Sequence, residues 1–396
     1  MTSLNYRMQV FERFEQVPAD AWDQLLAASP LATPFMRAEF LLAMEASQSA
    51  CPDTGWQARP ALLFDESDRI VGALPLYAKG HSYGEYVFDW AWARAYEEAG
   101  LPYFPKWLVS SPFSPVPGSR LLAAGPEARL GLAAGLTDLA RQSGWSSAHV
   151  LFGHETDHQA LSQAGWLLRK GVQFHWHHRG YRDFNDFLDS LTQPKRKKIR
   201  AERRRVAEAG ITCRVSCGGD ISNADWAFFY RCYCQTYFDR GNPPYLTEAF
   251  FEQIRRSMPE TLVLAMAHRG GTPVACALLL RGTDQGRSVA YGRYWGAVEQ
   301  VPMLHFELAY YTPLEWAISA GIDRIEGGAQ GEHKMARGFD PVETWSSHWI
   351  SRPEFRDAVA RFLAREQGGV DAYLSELDDR RPFRGEATGE STDPSG

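Results

Sequence analysis

The stretch TLVLAMAHRGGTPVACALLL, residues 261–280, sets two apolar runs on either side of Gly270 and Gly271. Adjacent glycines adopt the positive φ of a two-residue hairpin turn without steric cost, so the stretch predicts an antiparallel strand pair. Two helical stretches precede it, DWAFFYRCYCQTYF (225–238) and PPYLTEAFFEQIRRS (243–257). A helical stretch closed by glycine follows, FELAYYTPLEWAISAG (306–321), and then a short strand pattern, IDRIEG (322–327). The same order of elements occurs once before in the chain. ADAWDQLLAASP (19–30) and TPFMRAEFLLAMEAS (33–47) lead to the strand-turn-strand pattern ALLFDESDRIVGALPLY (61–77). LGLAAGLTDLARQSG (130–144) then closes on glycine before AHVLF (148–152). Glycine just past a helix adopts the left-handed conformation that ends it, which fits both Gly144 and Gly321.

This repetition predicts an α/β fold of mixed sheets (α+β) in two tandem domains, residues 1–180 and 181–365. From residue 366 the composition turns polar, ending in RGEATGESTDPSG. Residues 366–396 are expected to be a polar tail, partly disordered, because they hold too few apolar side chains to offset ordering entropy.

Length supports two domains, since 396 residues exceed what one core usually serves. A hydrophobic content of 44% with 23% charged residues is that of a soluble globular protein. The six cysteines form no disulfide framework, no apolar run reaches the roughly 20 residues of a membrane span, and the N-terminus has no signal-peptide core. These features predict a cytoplasmic protein with reduced thiols and no transmembrane segment.

Charge is concentrated in one place. In QPKRKKIRAERRRVAEAGI (193–211), eight of the eleven residues from Lys195 to Arg205 are basic and one is acidic, a sum of +7. The whole chain is -6, so the remainder is -13 (-6 less +7). A protein that coats DNA carries a basic surface as a whole, so DNA is excluded as a partner and a local anion site is favoured. Pro194 suits the first turn of a helix and Gly210 its end. At 100° per residue Ile199 and Val206 share an apolar face, and Arg196, Arg200 and Arg203 line the adjacent flank. Arginine forks bind phosphate or carboxylate at two points. The plainer alternative is a solvated surface helix with Glu202 and Glu208 as internal partners. A tRNA contact is a third reading.

Three further constellations carry chemistry. In YGRYWG (291–296), Tyr291, Arg293 and Trp295 alternate along a strand face, where they can contact a substrate; His305 follows at a helix start and titrates in the range of a general base. IEGGAQGEHKMARGF (325–339) is a Gly-rich turn after a strand, with Glu332, His333, Lys334 and Arg337 within six positions. Such turns sit at the sheet end where α/β proteins bind ligands, although a loop with satisfied charges has the same composition. Asp89 and Trp90 can shape an acceptor pocket, or equally a buried aromatic cluster with a capping Asp. HWHH (175–178) and the cysteines at 213, 217, 232 and 234 do not match common zinc spacings, so no metal is assigned.

The phrase PKRKKIRAERRRVAEAGI resembles the basic helix of the FemAB-like acyltransferases, a branch of the GNAT superfamily. The resemblance extends to FDWAWARAY, YFPKWLVSSPFSPVPG, GVQFHWHHRGY, YGRYWG and GAQGEHKMARGF, in the same order, from about residue 5 to residue 350. Together these phrases look like the family described as peptidoglycan biosynthesis/recognition proteins, or predicted N-acyltransferases. The resemblance implies tandem GNAT-like domains and transfer of an acyl or aminoacyl group to an amine on a cell-wall precursor or small metabolite. It implies no firmly bound cofactor, with acyl-CoA or aminoacyl-tRNA as co-substrate, and leaves open tRNA and peripheral membrane contact. Lys334, Arg337, Gly338 and Phe339 match the family's basic residue before Gly-Phe. The GNAT pyrophosphate cradle, Q/R-x-x-G-x-G/A, finds its only match at RIEGGA (324–329), after the last helix instead of before it, which argues against acetyl-CoA.

On this reading Arg196, Arg200, Arg203, Lys334 and Arg337 bind the donor's phosphates. Glu332, His333 or His305 supplies the base, and Asp89, Trp90, Tyr291, Arg293 and Trp295 contact the substrate. Two alternatives come from other classes: a non-catalytic recognition protein for an anionic or sugar-peptide ligand, and an RNA-binding module with steeply salt-dependent affinity.

Overall fold

The Gly270–Gly271 turn forms as the sequence predicts. Both residues have positive φ, 55° and 83°, and they join Leu262–Arg269 to Thr272–Asp284 as antiparallel neighbours. A computed structural model describes residues 6–328, 331–379 and 382–383, the side chains of Glu332, Asp378 and Asp379 excepted.

The first half runs β1 (Arg7–Val10), α1 (Ala19–Ala27), α2 (Ala38–Ala46), β2 (Trp56–Ala58), β3 (Ala61–Phe64), β4 (Ile70–Leu74) and β5 (Leu76–Lys79). It continues with α3 (Trp90–Glu98), β6 (Lys106–Val109), β7 (Leu122–Ala123), α4 (Pro126–Ser143), β8 (Ser147–Leu151), α5 (Glu155–Gln163) and β9 (Leu167–His177). The second half runs α6 (Phe184–Ser190), α7 (Gln193–Glu208), β10 (Ile211–Cys217), α8 (Asn223–Phe238), α9 (Glu248–Ser257), β11 (Leu262–Arg269), β12 (Thr272–Asp284) and β13 (Arg287–Ala297). It ends with α10 (Leu304–Phe306), α11 (Thr312–Ala320), β14 (Arg324–Glu326), β15 (Asp340–Ile350) and α12 (Pro353–Asp379). Gly144 and Gly321 close α4 and α11 with φ of 68° and 67°.

A small sheet, β1-β3-β4-β7, packs under α4. Everything else joins one eleven-stranded sheet in the order β10-β11-β12-β13-β14-β9-β15-β8-β6-β5-β2. That order is palindromic about the β9/β15 pair. On one side β14 lies parallel to β13 and antiparallel to β9; on the other, β8 lies parallel to β6 and antiparallel to β15. The halves therefore exchange strands, because β9 of the first half is inserted next to β14 and β15 of the second next to β8. The cut at residue 180 falls in the loop after β9, and the sheet crosses it without interruption.

One face of the second-half sheet carries Leu262, Leu264, Leu278, Leu280 and Tyr291, covered by α8, α9 and the first half's Phe35 and Phe40. The other face carries Val263, Leu279, Ala290 and Ile325 under α6, α7 and α11. The expected tail is corrected in part. Residues 366–379 continue α12, with Leu377 buried and Glu366 and Asp371 paired at 2.7 Å to Arg169 and Lys170. The composition is polar there because α12 buries only a narrow stripe. Residues 384–396 lie outside the described residues.

Candidate functional site

The site is built where β13 and β14 part. They pair only over Val289–Tyr291 and Arg324–Glu326, after which β13 runs on with β12 alone beside it. Glycines line the opening. A side chain at Gly328 would meet the Gly292 carbonyl at 3.6 Å, and one at Gly327 would press on Lys334 at 3.0 Å. Small residues on both walls leave the separated strand edges accessible.

Beyond the gap the chain makes a 3-10 turn over Glu332–Arg337. The turn places Lys334 inside the protein, where its ammonium donates to the Gly328 carbonyl at 3.1 Å. Among the described residues no carboxylate lies within ion-pair distance of it. Desolvation lowers its pKa to about 8. His333 is exposed at the mouth, its Nε2 at 2.9 Å from the Tyr310 hydroxyl. His305 faces His333 with ring centroids 6.4 Å apart and packs edge-on against Trp295. Burial holds both imidazoles below their usual pKa, His305 at about 4; His333 and then Arg337 and Lys334 add to this at His305, and Arg337 and Lys334 at His333. Both are therefore neutral, and able to accept a proton, at neutral pH. A cleft of about 750 Å³ opens beside Trp295, His305 and Phe306, bounded by α8 and residues 297–303. The sequence-based base candidate Glu332 has its side chain outside the described residues.

Arg337 is buried and stacks 3.6 Å from the Phe306 ring centre. It donates to the His333 carbonyl at 2.7 Å and to Glu202 at 3.1 Å, and Glu202 also accepts from the Tyr311 hydroxyl. Residues Glu307–Tyr311 form a single π turn in the α10–α11 helix, just before Pro313, which has no N–H to continue the α-helical ladder. That turn carries Tyr310 to His333, Tyr311 to Glu202 and Glu307 to Arg203. Sequence reasoning missed Glu202, Tyr310 and Tyr311. The available signal was that Glu202, the one acid in the basic run, shares a helix face with Ile199 and Val206; all three are buried.

The basic helix α7 begins and ends near the expected positions, and Gly210 follows it with φ 73°. Its arginine flank is already met by carboxylates. Arg196 pairs with Asp189 at 3.0 Å, and Arg203 with Glu307 at 3.1 Å and Glu315 at 2.7 Å. Arg200 is more open, 3.8 Å from Asp189. With Arg203 and Arg204 it lines a groove of about 490 Å³ bounded by α6, β10 and α11. The groups expected to bind donor phosphates are thus separate: Lys334 lies at the gap, Arg337 is buried against Phe306 and Glu202, and Arg200 and Arg203 line this groove while Arg196 pairs with Asp189.

The YGRYWG alternation is corrected. The β12–β13 register shifts between Leu278–Tyr294 and Leu279–Gly292, so Arg293 is the extra residue of a bulge. Tyr291 and Tyr294 therefore face α8 and α9, whereas Trp295 turns to the opposite face and meets His305. Tyr291 is buried against Phe35, with ring centroids 5.3 Å apart. Asp89 and Trp90 also part company. Asp89 is buried, bonded by Lys106 and by the Tyr103 hydroxyl at 2.7 Å, while Trp90 is 40% exposed beside Tyr83. Among the described residues no group of three or more His, Cys, Asp or Glu is placed to hold a metal, and no helix is long and apolar enough to cross a membrane.

One sheet shared by two helix-covered halves, each holding one parallel strand pair, defines a mixed α/β fold of two tandem units. Solved structures agree in fold. FemX is 12% identical with a TM-score of 0.53, covering 88% of this chain and 99% of that one. The C-terminal domain (DUF2156) of a putative lysylphosphatidylglycerol synthetase from Agrobacterium fabrum is 11% identical with a TM-score of 0.52, over 88% and 95% of the two chains. L-PGS from Bacillus licheniformis is 10% identical with a TM-score of 0.52, over 87% and 97%. No curated protein matches the chain. Residues 13–385 match the FemAB-like family of peptidoglycan biosynthesis/recognition, and the chain belongs to that family.

Proposed function

We propose that the protein is an N-acyltransferase that moves an acyl or aminoacyl group from an activated donor to an amine, with reaction at the β13/β14 gap. The observation that carries this reading is Lys334, a buried ammonium with no carboxylate partner among the described residues, at a glycine-lined opening between two separated strands. A cation so placed stabilises an oxygen that gains negative charge, as the acyl carbonyl does when an amine attacks it. The unpaired edge of β13 offers backbone N–H groups to the same oxygen.

His333 and Tyr310 supply the proton path. As the amine attacks, its proton passes to the Tyr310 oxygen while Tyr310 gives its own to Nε2 of neutral His333. Collapse of the tetrahedral intermediate expels the donor's thiol or hydroxyl, which takes the proton back. Membership of a peptidoglycan biosynthesis/recognition family supports a cell-wall precursor as the amine. The groove with Arg200, Arg203 and Arg204 suits the donor's phosphates, and aminoacyl-tRNA and acyl-CoA both carry such phosphates.

The test is a mass-spectrometric transfer assay with aminoacyl-tRNAs and CoA thioesters against muropeptide and small amine acceptors. Transfer from one donor class, lost in His333→Ala, is expected. Binding of donor and acceptor with no transfer from either class would sink the enzymatic reading and leave a recognition protein.

A further inference from the structure

Arg293, the bulged residue of β13, is a cation without a counter-ion among the described residues. Its terminal nitrogen donates to the Phe113 carbonyl, and its Nε–H has no hydrogen-bond partner in the structure. Among the described residues no carboxylate lies within ion-pair distance. Glu326, which acts on it from further off, is bound by Arg324 at 3.1 Å. A partly buried guanidinium with no carboxylate beside it is costly in a folded protein.

The surroundings are aromatic and come from both halves. The guanidinium carbon lies 5.4 Å from the Tyr294 ring centre and 5.5 Å from that of Phe35. Tyr86 and Tyr237 act on it electrostatically, and Tyr245 stacks on Phe113 at 5.0 Å. Two of these residues carry backbone strain, since Tyr86 and Phe113 have φ of 61° and 53°, values that bulky side chains rarely adopt. Tyr86 also lines a cleft of about 250 Å³ with Phe152, Gln173 and Ser346, and Arg293 itself is only partly buried.

We propose that Arg293, with the phenols of Tyr86, Tyr237 and Tyr294, binds a compact oxyanion, a carboxylate or a phosphate, carried by the acceptor. The partly buried planar fork can meet two oxygens at once, and the phenols supply further donors. Assigning the anion to the acceptor rests on the acyl-transfer reading; the anion site does not.

The test is calorimetric titration of the full chain with acetate, inorganic phosphate and neutral acetamide, for wild type and Arg293→Met. Wild type is expected to bind one anion and not acetamide, and Arg293→Met to bind that anion about tenfold or more weakly. The preferred anion separates carboxylate from phosphate. If Arg293→Met does not fold, Tyr86→Phe/Tyr237→Phe keeps the cation and removes two phenol donors, and weaker binding is expected there too. No anion binding by wild type, or unchanged binding in these variants, overturns the proposal. Because no donor is needed, transfer without anion binding would remove only this site, and anion binding without transfer would remove only the enzymatic reading.

Discussion

Lys334 has its pKa lowered from 10.5 to about 8, so it is an ammonium below that pH and an amine above it. If it stabilises the developing oxyanion, turnover should fall as pH rises through about 8. Lys334→Arg should carry activity to higher pH, and Lys334→Met should lose most of kcat with KM little changed; a pH–rate profile checks both. Glu326 titrates in the opposite sense. Burial raises its pKa from 4.5 to about 7, so between those values the folded protein holds a proton that the unfolded chain has released. Stability should therefore decline as pH rises from 4.5 to 7, and Glu326→Gln should flatten that slope in urea denaturation. The cluster of His333, Lys334 and Arg337 was legible because glycines and charged residues crowd one short segment. Tyr310 and Glu326 were not, since a tyrosine in an apolar helix and an acid ending a strand carry no local sign of what faces them.

At the scale of elements, α7 has a role its composition hides. Its basic residues attract notice, yet its one buried acid ties the helix to the turn that bears His333 and Lys334. Glu202→Ala would leave Arg337 buried with little besides the His333 carbonyl, and should cost about 3–5 kcal/mol in denaturant unfolding. Replacing both partners, Glu202→Leu with Arg337→Met, should restore most of that stability while lowering transfer activity, because the turn keeps its packing but loses its clamp. The ends of α7 were readable from Pro194 and Gly210. The π turn and the β13 bulge were not, because each adds a residue to a regular element, and periodicity assumes that none is added.

Across the whole molecule, local elements were legible and their neighbours were not. Apolar runs and turn residues reveal strands, but β9 and β15 pair across roughly 170 residues of chain, and nothing in either strand names its partner. The exchange predicts that a cleavage engineered between the exposed Arg179 and Gly180 yields two fragments that stay together on size exclusion and unfold in one transition. Separate elution under native conditions would contradict the exchanged sheet. The first half's own parallel pair, β6 and β8, stays paired to Val109 and Val150, and the buried Ser110–Val116 segment that follows β6 sends the Phe113 carbonyl to Arg293 and the Pro115 carbonyl to Gln173.

The inserted strands also bear on inheritance. In a chain of two similar units, one unit is ordinarily free to decay and be deleted. Here each half holds a central strand of the other, so deletion of either would leave the survivor with an open sheet edge in place of its middle. Two halves bound in this way can differ in chemistry, one holding the gap and the other the supporting loop, but neither can be lost alone.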